Sequence, residues 1–394
     1  MYYNIDEESI ENPDLLQAFI EVSKKILADI ESRVEVIKAN IDSIRGKLYI
    51  KRSNGIYSRK YSSILAVDST WTVPSLELVA GTIAVIISGY VIAAPPYLGD
   101  CGVTYVIHRE NAGELSGRFQ LEVELDSKLL ELITAYGKLD ESIDMVMIDG
   151  SLFFFTIRDF YDPAKSIDLL ADRSRLRGGR LASLVSRALV ELLDKSSKLN
   201  IPVVGVVKRV SSRFLLPRIF NTWSLDSKLL NINDKLLSSL ILKPGEYIVM
   251  DSFYKALIEY LELIKGLNRR VSSIIDIVRI CDNPPTGTYM EKLCNYMNNT
   301  AIVYYKQRGS QIFQQTTRLD IYPRNMVDDV VEYAIENSTQ NSVPAPIDYI
   351  DRYIRLETTM LKKLYTILRS ETKTVELETA LGLTNPQKHY LWEK

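Results

Sequence analysis

Two apolar runs in this 394-residue chain each end on an acid: Ile64-Leu65-Ala66-Val67-Asp68-Ser69 and Met145-Val146-Met147-Ile148-Asp149-Gly150-Ser151. An ionised carboxylate is costly to bury alone, so an aspartate closing an interior run calls for a partner. Two such groups brought close repel unless a proton or cation stands between them, and Mg2+ or Mn2+ is the natural ion for oxygen ligands. The pair therefore points to phosphate chemistry. The plain alternative is local, since Asp68-Ser69-Thr70 and Asp149-Gly150-Ser151 both have the composition of a turn or helix cap.

A third carboxylate is expected from residues 121–137. There Glu122 lies in phase with Leu125, Leu129 and Leu132 and so faces the sheet, whereas Glu124 and Glu131 share a different face. Glu122 is the first choice and Glu124 the close alternative; a solvated helix residue is the bland reading of either. Lys208 and Arg209, leaving the run Val203 to Val207, supply cations at the same rim, where a lysine can bind a nonbridging oxygen or offset developing charge. An ordinary charged strand exit has the same look. Arg173, Arg175, Arg177 and Arg180 flank Gly178-Gly179 in a compact basic loop that suits a phosphodiester chain, as it also suits solvent. Lys306, Arg308, Gly309 and Arg318 form a weaker second basic segment. With His108 and His389 the only histidines, little room is left for histidine-cluster mechanisms. The chain carries no Walker A pattern, dinucleotide glycine fingerprint or nucleophile elbow.

The elements that must position these residues follow from the apolar pattern. Continuous apolar runs closed by small polar residues read as strands buried on both faces. Segments 64–68, 78–94, 101–108, 145–149, 202–208, 247–250 and 302–305 fit strands, with Leu152 to Phe155 a strongly apolar continuation. Helical spacing covers 8–40, 121–137, 180–195, 226–241, 252–266, 286–298, 324–336 and 347–368. The first is a long amphipathic helix, with Leu15, Phe19, Val22, Ile26, Ile30, Val34, Ile37 and Ile41 on one side, expected to cover a domain face or a partner. Strands come first, then helix and strand alternate, which favours a mixed α/β sheet over a purely parallel one.

The bulk numbers permit a full core in one large domain with additions, or two domains. The composition is 46% hydrophobic and 25% charged with a net charge of −2, so no overall basic charge advertises nucleic acid, although a basic cleft can be offset by an acidic exterior. Cys101, Cys281 and Cys294 lack the close pairing of a zinc site and give no disulfide framework, which favours a reducing compartment. Neither a leader-like start nor an apolar run of membrane-spanning length is present, so a cytoplasmic protein is expected.

Taken in order, Ala66-Val67-Asp68-Ser69, Ile148-Asp149-Gly150-Ser151-Leu152, Val204-Gly205-Val206-Val207-Lys208 and the late segment Val343-Pro344-Ala345-Pro346-Ile347-Asp348-Tyr349-Ile350-Asp351-Arg352 resemble the NurA family of archaeal and bacterial DNA-end-processing nucleases. The resemblance spans roughly residues 60–360. It implies an α/β, ribonuclease-H-like mixed sheet with flanking helices and helical additions, Mn2+ (with Mg2+ possible) as cofactor, a ring-shaped homodimer, and a HerA-type hexameric ATPase as partner in resecting DNA ends for double-strand break repair. The implied division is an N-terminal amphipathic region over 1–55, a nuclease domain over 56–365 and a C-terminal tail over 366–394. By the same resemblance Asp68 and Asp149 match metal ligands, Glu122 or Glu124 the helix glutamate, and Lys208 the basic residue after the later strand. The late segment departs from the family pattern. Val343 stands where a tyrosine is common, and Asp351, still able to ligate metal, stands where many members have histidine. Those departures keep a catalytically weak scaffold that binds DNA or the translocase in view. An ATP phosphotransferase of the actin and sugar-kinase type is the other rival, though Asp68-Ser69-Thr70-Trp71 lacks the glycine its phosphate loop needs.

Overall fold

The structure, a computed structural model, describes residues 13–55, 60–73, 75–94, 97–111, 119–153, 179–220, 232–266, 281–309, 315–355 and 358–382. Among the described residues ten strands form one sheet: β1 (Ile50–Arg52), β2 (Ile64–Trp71), β3 (Leu76–Leu78), β4 (Gly81–Ala94), β5 (Tyr97–Asn111), β6 (Met145–Asp149), β7 (Val203–Val207), β8 (Glu246–Met250), β9 (Ala301–Tyr305) and β10 (Thr317–Tyr322). Their order is β1-β8-β9-β10-β7-β6-β2-β4-β3, with β5 on the far edge of β4. Only β2, β6 and β7 run parallel to one another; the remaining pairings are antiparallel. This is the mixed α/β sheet that the sequence pattern calls for.

The apolar runs are continuous because both faces of the central strands are covered. On one face Leu65, Val67, Val146, Ile148 and Val203 meet Leu125, Leu129 and Leu132 of the helix Phe119–Lys138 and the helix Gly179–Leu199 beside it. On the other, Ala66, Met147, Val204 and Val206 pack against Val330 and Val331 of the helix Val327–Glu336 and Ile347 and Ile350 of the helix Ala345–Tyr353. Pro344 at the N-cap and Pro346 within the first turn start this last helix where missing amide protons cost nothing. The 347–368 helical reading splits here, since Ala345–Tyr353 is separate from the helix Thr358–Ser370.

The long N-terminal helix, Pro13–Ala39, docks through buried Ile37, while Phe19, Val22, Ile26 and Ile30 on its apolar side stay exposed. One further expectation is corrected. Cys281 and Cys294 are joined in a disulfide with Cα atoms 5.3 Å apart, because the helix Tyr289–Asn298 folds back toward the preceding segment. The strand β10 lies in the middle of the sheet, fully buried, in a stretch left unassigned from sequence. No helix among the described residues is long and apolar enough to cross a membrane.

Candidate metal centre at the ends of the parallel strands

Parallel strands deliver their C-terminal ends to one rim, and here three of them end together. Val67 pairs with Ile148 and Ile148 with Gly205, so Asp68 and Asp149 stand level one residue further on. Period-two alternation puts both carboxylates, with Lys208 two residues past Val206, on the face that carries Ala66, Met147 and Val204. The helix Ala345–Tyr353 covers that face and brings Asp351 to its edge. Lys208 Nζ sits 3.1 Å from Asp149 Oδ2 and 3.1 Å from Asp351 Oδ2. Asp68 is buried, with the Ser69 amide donating to its Oδ1 at 2.7 Å. Asp149 Oδ1 is buried too and has no hydrogen-bond donor among the described residues.

Support comes from the opposite face through the helix Phe119–Lys138. Lys128 Nζ donates to Glu131 Oε1 at 2.8 Å and to the Asp149 carbonyl at 2.9 Å. Ser69 Oγ donates to Glu131 Oε2 at 2.9 Å and accepts from Ser127 Oγ at 2.8 Å. The turn after Asp149 is possible because Gly150 takes φ +85°, open to glycine at little cost. It crosses directly over Gly205, where a Cβ would come within 2.8 Å of Gly150 O and Leu152 N.

This crowding shows in the protonation of the acids. Burial first, then repulsion from Asp149 and Glu131, pushes the Asp68 carboxyl up to about 9, with Lys208 opposing. Burial likewise raises Glu131 to about 7, against the pull of Lys128. Lys208 is the reverse case. Burial works to discharge it, yet Asp149, Asp68 and Asp351 together hold its ammonium above the ordinary lysine value.

Beside the acids lies a cleft of about 500 Å³ that also receives Trp71, Phe214, Phe253, Ser212, Arg209 and Arg318. Among the described residues no three His, Cys, Asp or Glu side chains already form a closed ligand set. The donor chemistry nonetheless fits a hard divalent cation. Asp149 Oδ1 is an orphaned buried acceptor, Asp68 is repelled by its neighbours, and all the acceptors are carboxylate oxygens.

Asp68, Asp149, Lys208 and Asp351 are thus brought together, and Arg209 joins the cleft wall. Glu124 lines the cleft mouth, accepting from Gln120 Nε2 at 3.2 Å. Glu122 is elsewhere, with Oε2 3.5 Å from His108 Nε2, whose Nδ1 lies 3.4 Å from Asp126 Oδ2. The glutamate bonded into the site is Glu131. The helix is buried on two sides, against β2 and against the β4–β5 hairpin, so phasing on its leucines selects a buried face but not this one. The signal for Glu131 is its sharing of a face with Glu124 and its place one helical turn from Ser127 and Lys128.

The second basic segment is corrected as well. Lys306 Nζ donates to the carbonyls of Ser239 and Leu242 and Arg318 is buried, so these two serve the interior, while the exposed Arg308 bonds Ser53 and Glu336. Val343 is buried with Ile347 in the apolar core and does not line the cleft. Arg180 lies in the first turn of the helix Gly179–Leu199, and Arg173, Arg175 and Arg177 lie outside the described residues.

The sequence matches no family model and no curated protein. Solved structures do match. The NurA nuclease from Sulfolobus solfataricus aligns with a TM-score of 0.60 at 13% identity, over 91% of this chain and 97% of that one. A NurA structure bound to dAMP and manganese aligns with a TM-score of 0.52 at 12% identity, over 92% and 99%. A NurA structure with manganese gives 0.50 at 11% identity, over 91% and 99%. The fold is that of the NurA nucleases.

Proposed function

We propose that this chain is a divalent-metal-dependent DNA nuclease, cutting phosphodiester bonds as an exo- and endonuclease. In this reading it resects DNA ends beside a HerA-type hexameric translocase in the cytoplasm, as a homodimer, with Mn2+ as its ion and Mg2+ as the alternative. One observation carries the reading: level carboxylates on Asp68 and Asp149, with the Lys208 ammonium between Asp149 and Asp351, stand at the parallel rim of a fold shared with NurA nucleases. The NurA structures with manganese and with dAMP support the choice of ion and of nucleotide chemistry.

Asp68 and Asp149 would hold the ion, with Asp351 at its edge. Such an ion, when bound, would supply Lewis acidity and lower the pKa of a nucleophilic water. The chain's own residues do the rest. Burial and neighbouring anions favour a proton on Asp68, which an ion held there would have to displace. Lys208, charged and held by two carboxylates, is placed to meet a nonbridging phosphate oxygen. Lys128, Glu131 and Ser69 keep the Asp149 carbonyl and the end of β2 in place. Arg209 and the basic run Arg173, Arg175, Arg177 and Arg180 would guide the strand. The exposed apolar side of Pro13–Ala39 is the surface this reading gives to the sister subunit or the translocase.

The test uses linear double- and single-stranded DNA with Mn2+, comparing wild type with Asp68→Ala. Metal-dependent degradation by wild type, lost in the variant, is expected. Intact DNA in the presence of demonstrated metal and DNA binding would sink the nuclease in favour of a scaffold, and ATP turnover without DNA would favour the phosphotransferase.

A further inference from the structure

β10 crosses the sheet between β7 and β9 and sets Asp320 opposite Gly205, directly beneath the turn that follows Asp149. The Asp320 carboxylate is fully buried. Its Oδ2 accepts from Ser151 Oγ at 2.6 Å and from the Leu152 amide at 3.3 Å. Arg318 forks onto the same carboxylate, Nε to Oδ1 and Nη2 to Oδ2, both at 2.8 Å. The guanidinium then reaches two loops at once, with Nη2 3.0 Å from Ser151 Oγ and Nη1 3.3 Å from Ser212 Oγ. Phe214 and Phe253 close over it, their ring centres 5.3 Å and 5.5 Å away.

We propose that Arg318 and Asp320 are positioning residues for the carboxylate site, fixing through Ser151 the turn that carries Asp149 and through Ser212 the loop that leaves Lys208. The reaction they serve rests on the nuclease reading; the anchoring itself does not. Ser151 is two residues from Asp149 and Ser212 four from Lys208, so one buried pair sets the relative position of the ligand and the cation. Outer partners of this kind typically change metal affinity about 10–100-fold when removed. A bidentate fork is also something lysine cannot reproduce.

The decisive variant is Ser151→Ala, which removes one hydroxyl and leaves the ion pair intact. Arg318→Lys keeps the charge and loses the fork. Four readouts apply: thermal unfolding, amide hydrogen exchange over residues 149–152 in the metal-free protein, binding of Mn2+ alone by electron paramagnetic resonance, and kcat and KM on linear duplex DNA. Ser151→Ala is expected to unfold at the wild-type temperature within a few degrees. Its exchange over the turn should quicken roughly tenfold, its Mn2+ affinity fall about 10–100-fold, and kcat fall while KM for DNA holds. Arg318→Lys should move the same readouts in the same direction. Folded variants with wild-type exchange and wild-type Mn2+ affinity would overturn the proposal. A wild type that binds Mn2+ without cutting DNA defeats the nuclease reading alone, since exchange and Mn2+ affinity still decide the positioning role. A wild type that binds no Mn2+ defeats the metal reading, and wild-type exchange over the turn in folded Ser151→Ala and Arg318→Lys then overturns the anchoring.

Discussion

The acids around Asp68 and the network around Arg318 both gather charge at the centre of one sheet, with β7 between them, and they differ in how fully that charge is answered. Asp320 takes the Arg318 fork, and Asp234 below it takes Ser212 Oγ, Tyr304 Oη and the amides of Phe214 and Leu215. Every carboxylate oxygen there has a donor. At the rim Asp68, Asp149 and Asp351 share one ammonium, and Asp149 Oδ1 has no donor among the described residues. A matched network rigidifies the strands it joins, while an unmatched one keeps binding capacity in reserve.

Opposite responses to truncation would break that comparison or establish it. Asp320→Ala leaves a guanidinium buried without its carboxylate, a change that costs about 3–5 kcal/mol. Urea unfolding should show a large drop. Asp149→Ala relieves repulsion on Asp68 and should leave metal-free stability near wild type, while DNA cleavage falls by roughly 1,000-fold or more as the ion loses a ligand. Equal stability losses in the two variants would erase the distinction. Lys208→Met comes next. It removes the shared cation without removing a ligand, so cleavage should fall about 100–1,000-fold while Mn2+ binding is kept or tightened. Loss of Mn2+ binding in that variant would mean that Lys208 builds the site and does not act in it.

The raised Asp68 carboxyl sharpens the comparison through pH. Its folded value of about 9 stands above the unfolded value of about 4. The folded state therefore holds the proton more tightly, and its stability is full below pH 4 and declines as pH rises toward 9. Asp68→Asn cannot ionise, so the metal-free variant should melt several degrees above wild type at pH 8 and match it near pH 4. Glu131, at about 7, adds a smaller decline of the same sign between pH 4 and pH 7. A wild type whose metal-free stability is flat from pH 4 to 9 would contradict the unmatched burial of these acids.

The same contrast explains what the sequence made legible. Asp68, Asp149 and Lys208 stood out because uniform apolar strands end on a charge, and that pattern survives without knowledge of packing. Thr317–Tyr322 did not, because Arg318 and Asp320 interrupt the apolar run, although their mutual pairing lets all six residues be buried. Glu131 was hidden by a helix packed on two sides, where no single apolar face marks the direction of the site. The disulfide was hidden because 13 residues of separation carry no pairing signal until the chain folds back.

Asp351 is the exposed member of the rim cluster, and it carries the smallest expected effect. It bonds Lys208 at 3.1 Å yet its side chain is 56% exposed, so the bridge contributes no more than about 0–1 kcal/mol to stability. Asp351→Asn should melt with the wild type. If Asp351 belongs to the reactive cluster, that variant should still lose activity several-fold, because Lys208 loses one of the anions that hold its charge and direction. Asp351→His installs the residue common in the family this chain resembles. It should recover part of that activity and add a second ionisation near pH 6.5 to the rate profile, beside that of Glu131. Cleavage, Mn2+ affinity and pH profile all unchanged in Asp351→Asn would assign Asp351 to the solvated edge of the fold, and leave Asp68, Asp149 and Lys208 as the whole of the unmatched charge.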